Sequence, residues 1–185
     1  MSFGGGRHVA PCNTVANTAY VTAIQAIRLA GAPVVIASGN DAYDDAIGFP
    51  ACLPGAIKVT AVANNLNANA RGFFTATTGA NVANPTAFGV DFFAAPGGGN
   101  NTFVQSSVSP GYGTQWLGLA GTSQAAPQMA GLYATYKAVN PTHTVDEATA
   151  WLRSPTNAVA VPMTSRAGTA LGFSILRPRL NLGQP

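Results

Sequence analysis

Charge is scarce in this chain. Charged residues make up 8% of its 185 positions, against roughly 25% in an average globular protein. There are two lysines and one glutamate, so Gly, Asn, Thr and Ser must wet the surface instead. That composition suits a secreted protein, and an extracellular location is expected on that ground. The net charge is +3, but the seven arginines are scattered, with no basic run and no aromatic-basic stripe. Nucleic acid is therefore not an expected partner. No apolar run approaches the roughly 20 residues that cross a bilayer, so no membrane partner is expected either. Met1-Ser2-Phe3-Gly4 has neither the charged start nor the apolar stretch of a signal peptide. A signal for export is expected upstream of this chain.

Cysteine is also rare. Cys12 and Cys52 are too few for a disulfide scaffold, and no C-x-x-C or Cys/His cluster suggests zinc. Two buried thiols and one disulfide both stay open on the spacing alone. No internal repeat or long linker divides the chain, and 185 residues fit one domain.

What is present reads as alternating helices and strands. Thr18 to Ala30 has apolar residues at helical spacing, with Gly31 as a stop signal. Pro33 to Ser38 is a short apolar run, as expected for a strand buried on both faces of a parallel sheet. Ile57 to Ala63 and Phe88 to Ala94 read as two more strands. Thr102 to Leu119 reads as a hairpin around Pro110-Gly111. A second helix runs from Gly121-Thr122-Ser123 to about Val139. Thr144 and Glu147 form a capping box before a third helix near Val145 to Leu152. Strands joined through helices point to an α/β fold with a parallel sheet.

The chemistry concentrates in Gly121-Thr122-Ser123-Gln124-Ala125-Ala126-Pro127-Gln128-Met129-Ala130-Gly131. Ser123 opens a helix among small neighbours, where a substrate backbone can approach. Unpaired N–H groups and the positive dipole end there favour a developing oxyanion. Pro127 is expected in the first turn, where a missing N–H costs nothing. A bare G-T-S is more simply a helix cap. The full string, however, resembles the active-site serine motif of the subtilase family, G-T-S-x-A-A-P-x-x-A-G, at every fixed position.

Other segments carry the same resemblance in the same order. Val34 to Asp41 looks like the subtilase strand that ends in a Gly-Asn pair, whose Asn donates to the oxyanion; Asn40 occupies that place. On its own, Asn40 reads as a turn residue. Met1-Ser2-Phe3-Gly4-Gly5 resembles the family's S-x-G-G strand. Ser2, Phe3 and Gly4, with Ala37, Ser38 and Gly39, would then wall the primary specificity pocket. Phe49-Pro50-Ala51 and the Val90 to Gly97 turn also fit, as does Arg179-Leu180-Asn181 near the end. The resemblance implies a three-layer subtilisin-like fold. It also implies a disulfide between Cys12 and Cys52, and a structural calcium held by Asp91 and the carbonyls of Pro54 and Ala56. Asp91 read alone is as well explained by a turn cap or an arginine partner. No cofactor is expected for catalysis.

Two partners of the nucleophile are missing. The family places an Asp in D-[ST]-G and a His in H-G-T-H before the serine, and neither motif occurs. His8 and His143 read as solvated loop residues. Asp41, Asp44 and Asp45 read as a solvated turn that could favour a cation or basic substrates. Asp146 and Glu147 suit the first turn of a helix.

The expectation is therefore an N-terminally truncated subtilase domain, its Asp- and His-bearing part upstream, and poorly stable alone. The whole would be a serine endopeptidase cleaving polypeptides through an acyl-enzyme on Ser123, monomeric as a full domain. Small pocket walls would admit large apolar side chains. The alternative is a non-catalytic remnant, or a domain that binds peptide along the Ser2 to Gly4 edge.

Overall fold

The structure is a computed structural model and describes residues 1–64, 70–107 and 116–179. Strand β1 is Gly5–His8. A 3₁₀ turn at Val15–Asn17 leads into helix α1, Thr18–Leu29. Then come β2 (Val35–Ala37), β3 (Ile47–Phe49), β4 (Ile57–Val62), the short helix α2 (Pro85–Phe88) and β5 (Phe92–Pro96). After β6 (Val104–Ser107) and β7 (Trp116–Leu119) come α3 (Thr122–Val139), α4 (Val145–Arg153), β8 (Ala158–Thr164) and β9 (Ala170–Pro178).

The main sheet has the order β2-β4-β5-β9-β8. Its first four strands run parallel, and β8 returns antiparallel to β9. Side chains alternate across a strand, so neighbouring residues feed opposite cores. Ile36 and Phe92 join Ile24 of α1 on one face. Val35, Ala37, Val59 and Phe93 join Ala125, Met129 and Tyr133 of α3 and Leu152 of α4 on the other. Helices on both faces of a mostly parallel sheet make the expected three-layer α/β fold, and explain why its strands read as unbroken apolar runs. The exception is Lys58, a charge in the middle of β4 that is 2% exposed.

α1 and α4 fall almost where periodicity puts them. The capping box is complete: the Thr144 hydroxyl accepts from the Glu147 amide, while Glu147 accepts from the Thr144 amide. Other readings need correction. Phe88 ends α2 rather than opening a strand, because Asn84 caps a helical turn through the Thr86 amide. In the S-x-G-G stretch the strand starts only at Gly5; Met1 instead borders β2, its carbonyl accepting from the Ala37 amide at 3.0 Å. The β8–β9 hairpin was not legible as strands. β6 and β7 pair antiparallel, as a hairpin requires, while its Pro110-Gly111 tip lies outside the described residues, as do Leu180 and Asn181.

Candidate active site

Helix α3 begins at Thr122, which puts Pro127 in the second turn and not the first. A proline there removes the N–H that would bond the carbonyl four residues earlier. That carbonyl belongs to Ser123, and the Ser2 hydroxyl donates to it at 3.1 Å. In return the Ser123 Oγ donates to the Ser2 carbonyl at 2.7 Å. The two serines thus tie the N-terminal stretch to the head of α3.

Asn40 reaches the same place from the other side of the chain. It follows β2 through Gly39, whose φ of +106° suits glycine. A Cβ on Gly39 would also lie 2.3 Å from Asn81 Nδ2. The Asn40 Oδ1 accepts from the Thr122 amide at 3.0 Å and from the Thr122 hydroxyl at 2.8 Å. With the oxygen so engaged, the amide nitrogen is left to face outward. A Cβ on Gly121 would sit 3.4 Å from Asn40 Nδ2 and 3.7 Å from the Ser123 amide nitrogen. The Asn40 amide nitrogen and the Ser123 amide nitrogen thus both lie close to Gly121, with Gln124 Oε1 nearer still, 2.9 Å from that Cβ; donors at the head of a helix are the kind of group that can hold a developing oxyanion. The first helical N–H groups have no intrahelical partner, so the Ser123 amide is free for this use.

A cavity of about 200 Å³ opens here. Ser2, Phe3 and Gly4 line it from the N-terminal stretch, and Ala37 and Gly39 from the end of β2. Asn40, Asp41, Thr122 and Ser123 complete it. Ser38 does not line it: the side chain is buried and its Oγ donates to the Asn81 carbonyl at 2.8 Å. A second cavity, of about 480 Å³, also touches Ser123 and is lined by Leu117, Leu119 and Pro127.

Asn81 holds this loop and was not legible beforehand. Fully buried, its Oδ1 accepts from the Asp41 and Tyr43 amides, and its Nδ2 donates to the Ser38 carbonyl and to Asp41 Oδ2. Nothing in its neighbourhood, Gly79-Ala80-Asn81-Val82, marks it. Thr122 was in plain view within the motif; only its contacts give it a role. Arg71, 1% exposed, donates to the Tyr43, Ala80 and Thr164 carbonyls and pairs with Asp44.

Of the groups considered for calcium, Asp91 and the Ala56 carbonyl already have cationic partners and do not fit the ion. Asp91 pairs with Arg28 at 3.2 Å. The Ala56 carbonyl accepts from the Lys58 ammonium at 2.9 Å, and the Gly55 carbonyl accepts from Arg28 at 3.1 Å. Pro54 lies half-buried just before them. An ammonium and a guanidinium already supply positive charge at this spot, and a divalent cation would meet both. Burial lowers the Lys58 ammonium to about 8, against the opposing pull of Asp91.

Cys12 and Cys52 form a disulfide across 40 residues. His8 lies beside them, its nitrogen and the two sulfurs all within 4.8 Å of one another. This Cys/His grouping was invisible in the sequence, and the S–S bond uses both sulfurs, so it offers no thiolate pair to a metal. His143 is engaged by the Tyr136 hydroxyl at 2.7 Å. Neither histidine lines either cavity at Ser123. No helix among the described residues is long and apolar enough to cross a membrane.

The sequence model of the subtilase family matches residues 1–171. Among solved structures, a protease of Pseudoalteromonas arctica is 28% identical, with a TM-score of 0.65 over 91% of this chain and 46% of its own. A cold-adapted subtilisin-like serine proteinase, 24% identical, superposes at a TM-score of 0.64 over 98% of this chain and 54% of its own. The patellamide maturation protease does so at 21% identity, a TM-score of 0.64, and 97% and 58% coverage; the last two speak for the fold. The chain spans about half the length of these structures. No curated protein matches it. With a family match over nearly the whole chain and the same three-layer sheet, the chain belongs to the subtilase family of serine proteases.

Proposed function

We propose that this chain is the nucleophile-bearing part of a serine endopeptidase. The Ser123 hydroxyl attacks the scissile carbonyl carbon, a bond forms from Oγ to that carbon, and the carbonyl oxygen becomes an oxyanion. The Ser123 amide and the Asn40 side chain donate to it. A histidine from a chain segment preceding these residues takes the serine proton and passes it to the leaving amine, and an aspartate from that segment orients it. Water then hydrolyses the acyl-enzyme by the same route. In the whole domain the imidazole replaces the Ser2 carbonyl as acceptor of the Ser123 hydrogen. Polypeptides are the substrates, and the disulfide and low charge favour an extracellular setting.

The observation that carries the reading is that Asn40, its side-chain oxygen held by Thr122, and Ser123 line one cavity. The test is fluorophosphonate labelling of the product of the complete reading frame. Rapid labelling of Ser123, abolished in S123A, is expected; the 185 residues alone should label far more slowly. A folded full-length product that neither labels at Ser123 nor cleaves casein would leave the peptide-binding or remnant reading in its place.

A further inference from the structure

Six acidic residues serve this chain, and five are committed to the fold. Asp45 pairs with Arg7, Asp44 with Arg71, and Asp91 and Asp146 both with Arg28. Glu147 closes the cap of α4. Asp41 alone has no cationic partner among the described residues, and it is the acidic residue that lines the cavity beside Ser123.

Its carboxylate is held in position. The Asp41 amide donates to Asn81 Oδ1 at 2.8 Å, and Asp41 Oδ2 accepts from Asn81 Nδ2 at 2.9 Å. Asn81 is buried and bonded on every side, so it cannot follow the aspartate elsewhere. The same Oδ2 would lie 3.4 Å from a Cβ on Gly39, so the absence of that Cβ brings the carboxylate to the cavity wall. One carboxylate oxygen is left over, in a cavity whose other lining residues carry no charge. Arg7 is occupied by Asp45 at 2.5 Å and lies over the Tyr43 ring.

We infer that Asp41 selects substrates with lysine or arginine on the acyl side of the scissile bond, its carboxylate receiving the cationic head while the aliphatic stem lies between the small residues 4, 37 and 39. The inference rests on the protease reading above and narrows it. Small walls alone would admit large apolar side chains; the rim carboxylate adds a preference among side chains of equal length.

Peptidyl coumarin amides that differ only in lysine, norleucine or glutamate at the last residue test it on the complete gene product. Norleucine matches the lysine stem without its charge. The kcat/KM ratio of lysine to norleucine should exceed one and fall roughly five- to tenfold in D41N, the scale of a partly exposed ion pair. Asparagine can still accept from Asn81, so folding is preserved. The ratio should also shrink with added salt, and D41K should favour glutamate. A ratio unmoved by D41N, in enzyme whose Ser123 still labels, overturns this inference and leaves the protease reading standing. No hydrolysis of any peptide together with an unlabelled Ser123 overturns both.

Discussion

The side-chain oxygen of Asn40 is held twice by Thr122, through its amide at 3.0 Å and its hydroxyl at 2.8 Å. Thr122 also accepts from the Gly39 amide at 3.3 Å. One residue therefore orients the oxyanion donor and pins the turn that delivers it. Removing the donor itself costs roughly 10²–10³ in kcat in subtilisin, the reference case for this effect. Thr122→Val keeps the amide bond but loses the hydroxyl, and should lower kcat by about tenfold with KM little changed. Thr122→Ser should restore it. Steady-state kinetics on the complete gene product checks this; a change confined to KM would refute the positioning role.

Lys58 makes stability depend on pH with a definite sign. Its folded value, about 8, is below the roughly 10.4 of an unfolded lysine. Between these values the unfolded chain binds the extra proton, so stability rises with pH through that window. Below pH 8 both states are charged and the cost of burying the ammonium is fully present. The rise should be on the order of 3 kcal/mol. About 2 kcal/mol of it falls between pH 7.5 and 9.5, where urea unfolding should show it in the wild type and not in Lys58→Met. With Lys58 on the Ala56 carbonyl and Arg28 on Asp91, a chelator at pH 7 should leave the melting temperature unmoved. A large drop would show that a divalent ion shares the site after all.

Arg71 is the hidden support of the loop that carries Asp41. Its replacement by methionine would leave the Tyr43, Ala80 and Thr164 carbonyls without their donor. Each such orphan costs about 1–3 kcal/mol, so Arg71→Met should destabilise by at least about 3 kcal/mol in chemical denaturation. Most of this comes from the carbonyls, since Asp44 is 43% exposed and screened by water. Arg71→Lys cannot reproduce the planar fork and should recover only part. Wild-type stability in the methionine variant would mean the carbonyls find water instead.

The disulfide ties the loop after β1 to the turn before β4. A bridge over 40 residues restricts the unfolded chain, and typically contributes 2–4 kcal/mol. Cys12→Ser with Cys52→Ser should lower stability by about that amount. The check is a pair of melting curves, one of the double variant and one of the reduced wild type, which should agree.

Local signals were read well wherever a local interaction decides the structure. The capping box of α4 needs only Thr144 and Glu147, three residues apart, and it formed as read. The strands β2 and β4 showed as apolar runs because both of their faces are covered. The hairpin β8–β9 did not show, since the exposed positions of β8 carry Ala160 and Pro162, so its alternation in burial is not written as an alternation in polarity. Phe88 was misplaced for a related reason: an apolar residue beside a strand belongs to whichever element the preceding cap starts.

The sequence by itself determined the family and the nucleophile, because the eleven residues from Gly121 to Gly131 are contiguous and their spacing is the message. It also named Asn40, through the Gly-Asn pair at a strand end. Only the tertiary structure decided that Thr122 aims Asn40, that the Ser123 carbonyl freed by Pro127 is met by Ser2, and that Arg28 pairs with the Asp91 considered for calcium. It alone separated Asp41 from the five acids that the fold consumes. These relationships join residues that lie about 30 to 120 positions apart. Their geometry is set by strand order and by which face a side chain takes, and neither is written in any single stretch of sequence.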